Sequence, residues 1–188
     1  MHRIAPLEPP YRVDLQKSFD AIMKGADPLI LFRTIAVSDR AWERFRSASM
    51  LDRGPLPLRE REIVIDRTTA RTACEYEWGV HVAIYGKRAN LTNEQIAAIV
   101  SGPAGAPCWT AAEQALIAAA DALHERATLS SAEFQALRAH YDDQQILEIL
   151  LLCGFYRMVS YLANGLDLPL EPFAARFPEL QHGGATET

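Results

Sequence analysis

Apolar residues recur every three or four positions along most of the chain, which is the spacing of an amphipathic helix. Alternation of period two, the mark of a half-buried strand, does not extend over a convincing length in any segment. The pattern therefore predicts an all-α protein.

The first part of the chain is predicted to be an arm followed by short helices. Residues 1–12 are rich in proline and favour an extended arm. Asp14 is predicted to cap a short helix that ends near Lys24. Residues 28–37 read as a buried helical segment, and Ser38 or Asp39 is predicted to cap the next helix.

Two helices with a break between them are predicted in the middle of the chain. The first begins near Leu58 and ends near Thr72, because Thr68 and Thr69 are modest helix formers. The second begins near Cys74 and runs to Lys87 or Arg88. The break would place Cys74 in the first turn of a helix.

Capping signals divide the remainder into four helices. Capping boxes are read at Thr92–Gln95, Thr110–Glu113 and Ser130–Glu133. The last long helix is predicted to begin at Asp142 or Asp143 and to stop at Asn164–Gly165. The tail after Pro169 is expected to be loose.

Composition narrows the class of protein. A chain of 188 residues that is 49% apolar suits one domain with a sizeable core. The net charge of −5 and the lack of an evident basic patch in the sequence argue against binding to nucleic acid. A small-molecule substrate or a protein partner is therefore expected. The apolar run 146–152 is interrupted by Glu148 and is too short to span a membrane. We expect a soluble, cytoplasmic protein.

The cysteines point to a reducing compartment. Cys74, Cys108 and Cys153 are three in number and widely separated, which does not suit a disulfide framework. The chain has no CxxC pair and no Cys/His cluster at zinc spacing. We therefore expect no metal.

The candidate chemistry lies in residues 62–81. On a helix, Cys74, Glu77 and His81 occupy one face, because residues three, four and seven apart stack along the axis. A helix start and a nearby imidazolium would lower the pKa of the Cys74 thiol and make it reactive. The alternative is that Cys74 is a small buried hydrophobic residue, as we expect for Cys108 and Cys153.

Glu77 and His81 form an i, i+4 pair, which on a surface would be a weak salt bridge. Their helix is apolar nearly all round, which indicates burial and makes each residue the partner of the other. A carboxylate-oriented imidazole suits general acid–base work. Glu62 either pairs with Arg59 or Arg61 or reaches the imidazole, and spacing does not decide between these.

The other aromatic and histidine residues carry weaker signals. Tyr85 lies one turn beyond His81, where it either lines a pocket and contacts a substrate or packs in the core. The four remaining histidines lie among polar residues or near the ends of the chain, and we expect them to be solvated: His2, His124, His140 and His182.

The segment LPLREREIVIDRTTARTACEYEWGVHVAIYG, followed by LTNEQIAAIVSG, resembles the carboxymuconolactone decarboxylase family of the AhpD-like superfamily, and in particular its "YEWxxH" branch. The resemblance extends over residues 28–166, which we take as one domain, with residues 1–27 as an arm and short helix and 167–188 as a tail. It implies an AhpD-like bundle of roughly seven to eight helices. It also implies subunits that associate as dimers, trimers or hexamers.

The redox motif of the superfamily, E-x11-C-x2-C-x3-H, is only partly present. Its glutamate, first cysteine and histidine match Glu62, Cys74 and His81, and Glu77 stands in place of the second cysteine. The resemblance assigns that second cysteine the attack on peroxide. The dithiol cycle therefore lacks one thiol in this chain.

Three functions remain open. The leading one is a cofactor-free carboxy-lyase that uses His81 with Glu77 and Glu62, because decarboxylase members need no dithiol. The second is a peroxidase that uses Cys74 with His81 and Glu62. The third is a non-catalytic helical oligomer, which a filled space around His81 would favour.

Overall fold

The computed structural model describes residues 3–179, which form nine α-helices and contain no strand. The all-α prediction is confirmed, with one helix more than expected. The helices are α1 (Val13–Met23), α2 (Ile30–Ile35), α3 (Asp39–Ala48), α4 (Leu58–Arg71), α5 (Glu75–His81), α6 (Asn93–Ser101), α7 (Ala111–Arg126), α8 (Ser131–Arg138) and α9 (Asp143–Gly165).

Helix α4 is the centre of the bundle and packs against α5, α6, α7 and α9. Its middle section is buried on every face, including the apolar run Ile63–Ile65. Burial extends to charged residues, and neighbouring helices supply partners for some of them. Arg67, for example, makes two hydrogen bonds of 2.7 Å to the carboxylate of Asp121 on α7.

The predicted break between the central helices is confirmed. Helix α4 ends at Arg71, and Ala73 adopts a left-handed conformation with φ of 50°. The chain then turns at Cys74, the N-cap of α5. After His81 the helix continues as a π-helical turn, Val82–Gly86, a feature that occurs often at functional sites.

Local capping signals predicted most helix boundaries correctly. The three capping boxes at Thr92, Thr110 and Ser130 are present, and Asp142 caps α9 with a fourth box. One cap was predicted wrongly: Asp14 lies in the first turn of α1, whose N-cap is Arg12. The helix predicted over residues 28–37 is shorter, because only Ile30–Ile35 is helical.

Helix α9 is long and apolar enough to cross a membrane by length and composition, with a mean hydropathy of 1.6. Half of that window is buried inside the bundle, where residues such as Ile149 and Leu152 are fully enclosed. We therefore assign α9 as a core helix. Its outer face exposes Leu147, Leu151 and Tyr161.

The expectation of a loose tail after Pro169 is wrong as far as residue 177. Glu171 accepts hydrogen bonds from the amide of Ile30 and the hydroxyl of Tyr76. The amide of Ala175 donates to the carbonyl of Gly79, and a Cβ on Gly79 would overlap Ala175. The segment is held because α5 offers it a close backbone approach. Residues 180–188 lie outside the described residues.

Candidate functional site

His81 lies between two glutamates at the end of α5. Its Nδ1 atom is 2.7 Å from Oε2 of Glu62, and its Nε2 atom is 3.5 Å from Oε1 of Glu77. Glu77 is one turn back on α5, whereas Glu62 comes from α4. Glu62 is fully buried and His81 is 3% exposed, so solvent screens neither interaction strongly.

The two glutamates determine the protonation of His81. Burial lowers the pKa of His81, but the hydrogen bonds and charges of Glu62 and then Glu77 outweigh burial and raise this pKa well above its ordinary value. Because a carboxylate only accepts, Nδ1–H donates to Glu62. The two carboxylates thus orient the imidazole and favour its protonated form.

Glu62 also has an arginine neighbour, so both alternatives for this residue hold. The Nε atom of Arg61 is 3.3 Å from Oε1 of Glu62, and its Nη1 atom donates to the carbonyls of Leu51 and Asp52. Arg59 points elsewhere and pairs with Glu113 at 2.6 Å. One guanidinium therefore accompanies the histidine and its two glutamates.

Two tyrosines contact the imidazole. The ring of Tyr85 lies 5.4 Å from that of His81, and the ring of Tyr156 on α9 meets it edge-to-face at 5.0 Å. Tyr85 is half-buried, as a pocket wall would be. Sequence reasoning missed Tyr156, because α9 read as a packing helix throughout.

Asp66 is the second residue that sequence reasoning missed. It lies one turn after Glu62 on α4 and is fully buried. Within residues 3–179 neither of its carboxyl oxygens has a hydrogen-bond partner. Burial, followed by the charge of Glu62, raises the pKa of Asp66 well above its ordinary value. The i, i+4 spacing of two acids on a helix that is otherwise buried was the available signal.

Donor atoms from Glu62, Asp66 and His81 lie within 4.8 Å of one another. Glu77 adds a further acid beside them, and its Oε2 atom also lacks a partner within the described part of the chain. The site is therefore richer in carboxyl groups than the sequence motif indicates.

Cys74 lacks the lowered thiol pKa that the sequence predicts for a reactive cysteine. It is fully buried, and burial raises the pKa of the Cys74 thiol despite a hydrogen bond from the backbone of Glu77. The lowered pKa expected from the helix start is wrong, because desolvation outweighs the helix amides. All three cysteines are free, and burial raises the pKa of Cys153 to about 11.

Five cavities within residues 3–179 lie away from His81. One of about 580 Å³ lies between α7 and α9 and is lined by His124, Cys153 and Arg157, among others. Glu62, Glu77 and His81 line none of these cavities. His124 is half-buried rather than solvated, whereas His140 is exposed as expected; His2 and His182 lie outside the described residues.

A protein-family model matches the region of the chain that contains the motif. Residues 38–121 match the model described as the carboxymuconolactone decarboxylase family. The matched region contains Glu62, Asp66, Cys74, Glu77 and His81. No curated protein matches the chain.

Solved structures share the whole fold. An uncharacterised peroxidase-related protein from Silicibacter sp. TM1040 superposes with a TM-score of 0.78 at 19% identity, over 92% of this chain and 93% of that one. A peroxidase-related protein from Ralstonia eutropha JMP134, described as an alkylhydroperoxidase AhpD core, gives 0.73 at 21% identity, over 92% and 95%. The debrominase Bmp8 in complex with 2,3,4-tribromopyrrole gives 0.74 at 15% identity, over 90% and 92%. These similarities establish an AhpD-like fold.

Proposed function

Because residues 38–121 match the carboxymuconolactone decarboxylase family, we propose that the protein is a cofactor-free carboxy-lyase acting on a small carboxylated lactone or a related acid. The observation that carries the proposal is the position of His81 between Glu62 and Glu77. These two contacts orient an imidazole N–H for proton transfer.

The proposed reaction needs one proton donor and one place for negative charge. The bond between the carboxyl carbon and the substrate breaks, carbon dioxide leaves, and the electron pair stays on the substrate as an enolate-like carbanion. His81 returns a proton to that carbon, while Glu62 holds the ring. Arg61 and the imidazolium stabilise the developing charge before protonation.

The same two cations offset the repulsion between an anionic substrate and the glutamates. Arg61 lies 3.3 Å from Glu62, so it is close enough to act on charge near the imidazole. Tyr85 is half-buried beside His81, and we propose it as a substrate contact. A substrate reaches His81 only if side chains around it move, because this residue is 3% exposed.

The thiol-dependent peroxidase ranks second. Support comes from the retained Cys74 and from the peroxidase-related proteins of similar fold. The burial and raised pKa of Cys74 count against it. A non-catalytic role finds support in one observation, namely that His81 lines none of the five cavities described above. Fold alone does not choose among these functions.

We also propose that the protein works in the cytoplasm as a homo-oligomer (a dimer, trimer or hexamer), without nucleic-acid or membrane partners. Three free cysteines suit a reducing compartment. The exposed apolar residues on α9, such as Leu147 and Leu151, are typical of a surface that another subunit covers.

The test is release of carbon dioxide from carboxylated lactones and β-keto acids. We expect His81→Ala to lower the rate about 100-fold or more, in line with the loss of a general acid. His140→Ala, which removes an exposed histidine, is the matched control and should keep the full rate. Decarboxylation untouched by His81→Ala would exclude the proposal. Peroxide reduction that depends on Cys74 would favour the peroxidase instead.

A further inference from the structure

We propose that Glu62, Asp66 and His81 form a binding site for one divalent transition-metal ion. The three residues come from two helices, α4 and α5, and all three are buried. This inference goes beyond the proposed function, because the resting protein would bind the ion without any substrate.

The distances suit a cation. Three atoms that all lie within 4.8 Å of one another share a point no more than about 2.8 Å from each. Bonds from zinc to carboxylate oxygen or imidazole nitrogen are about 2.0–2.2 Å long. Side-chain shifts of about 0.7 Å therefore bring all three donors to bonding distance.

Asp66 provides the independent observation. Both of its oxygens are buried and, among the residues the structure describes, have no hydrogen-bond partner. Two buried acids elsewhere in the same fold are satisfied: Glu113 binds Arg59 and Thr110, and Glu171 binds Tyr76 and the amide of Ile30. A buried carboxyl group without a partner is costly, and a bound cation would remove that cost.

The charges around the site call for a divalent ion. Glu62, Asp66 and Glu77 contribute three negative charges when ionised, and Arg61 contributes one positive charge. A metal-bound imidazole is neutral. The two remaining negative charges equal the charge of one divalent cation.

The donor set also indicates the class of metal. One imidazole nitrogen with carboxylate oxygens, and no thiolate, suits manganese, iron, cobalt or zinc. Nδ1 of His81 is the nitrogen that faces Glu62, so we assign it as the ligand, and the ion displaces the proton that Nδ1 donates to Glu62 in the metal-free protein. Nε2 then remains free to donate to Glu77, an outer carboxylate that orients a ligating histidine. A site built from one histidine and carboxylates has no Cys/His spacing in the sequence, so that spacing does not reveal it.

The experiment uses the full chain after removal of metal with a chelator. Titration with Co²⁺, followed by visible absorption, and with Mn²⁺, followed by electron paramagnetic resonance, should show one ion per chain. Asp66→Asn should weaken binding at least tenfold. Glu148→Gln, which changes another buried acid outside the cluster, should leave binding unchanged.

Circular dichroism of each metal-free variant establishes that it folds. If Asp66→Asn does not fold, Glu62→Gln is measured instead, with the same tenfold weakening expected. Nitrogen coupling to bound Mn²⁺ should disappear in His81→Gln. Folded wild-type protein that binds neither ion, or binding that persists equally in the folded Asp66 or Glu62 variant, would overturn the proposal. Decarboxylation is assayed on metal-free protein, so either proposal can fail without the other.

Discussion

The Nδ1 atom of His81 lies 2.7 Å from Oε2 of Glu62, although the two residues are 19 positions apart and belong to different helices. The contact is buried, and the ring of Tyr156 packs edge-to-face against the imidazole. It ties the central helix of the bundle to the helix that carries the family motif. The same contact therefore bears on stability and on chemistry.

Glu62→Gln should destabilise the protein by about 3 kcal/mol, because it leaves the buried cations Arg61 and His81 without their carboxylate. Urea unfolding of both proteins at pH 7 measures the difference. Glu43→Gln, which disturbs only an exposed pair with Arg46, is the control, with an expected change below about 1 kcal/mol. Equal midpoints for Glu62→Gln and wild type would contradict the structural role.

Arg67→Met should lower the free energy of unfolding by about 3–5 kcal/mol. Arg67 is 3% exposed, and it joins α4 to Asp121 on α7 and to the carbonyl of Ile99. Removing the guanidinium leaves the half-buried Asp121 carboxylate without its main partner. Denaturant midpoints measure the loss. A cost no larger than that of Arg46→Met, at an exposed pair, would show that the ion pair contributes little.

Gly79→Ala should release the C-terminal segment from α5, because a Cβ there would overlap the carbonyl oxygen of Ala175. We expect the free energy of unfolding to fall by about 1–3 kcal/mol, and we expect faster proteolysis near residue 175. For Gly154→Ala we expect the opposite effect on stability, since nothing lies within 4 Å of its Cβ position on α9. That change should stabilise the helix by about 0.5–1 kcal/mol. Equal effects at the two sites would refute the contact.

Cys74 should react slowly with iodoacetamide at pH 7–8 in the folded protein and rapidly after unfolding. Burial raises the pKa of this thiol, so the neutral form is favoured in the folded state. The neutral thiol stabilises the folded protein fully at pH values below the pKa of the thiol in the unfolded chain, about 8.5. That stabilisation is lost as the pH rises through the higher pKa of the thiol in the folded protein. The free energy of unfolding should therefore fall in alkali, and less so in Cys74→Ala. Rapid alkylation of folded protein at pH 7 would revive the peroxidase hypothesis.

Much of the fold and part of the site could be derived from local signals. The capping boxes at Thr92, Thr110 and Ser130 involve residues three positions apart, so the sequence itself encodes where those helices begin. Helix spacing likewise places Glu77 one turn from His81. The wrong prediction at Asp14 was also local, and it arose because an acid in a first turn resembles an N-cap.

What the sequence alone determined is the helical content, most helix boundaries, the resemblance of the central region to the carboxymuconolactone decarboxylase family, and the pairing of Glu77 with His81. Only the tertiary structure decided that Glu62 reaches His81, that Asp66 is buried without a partner, that Cys74 is enclosed and that residues 171–177 dock on α5. The physical reason is one of range. Helix capping and i, i+4 contacts depend on neighbours along the chain, whereas burial, desolvation and charge pairing depend on which helices pack against one another.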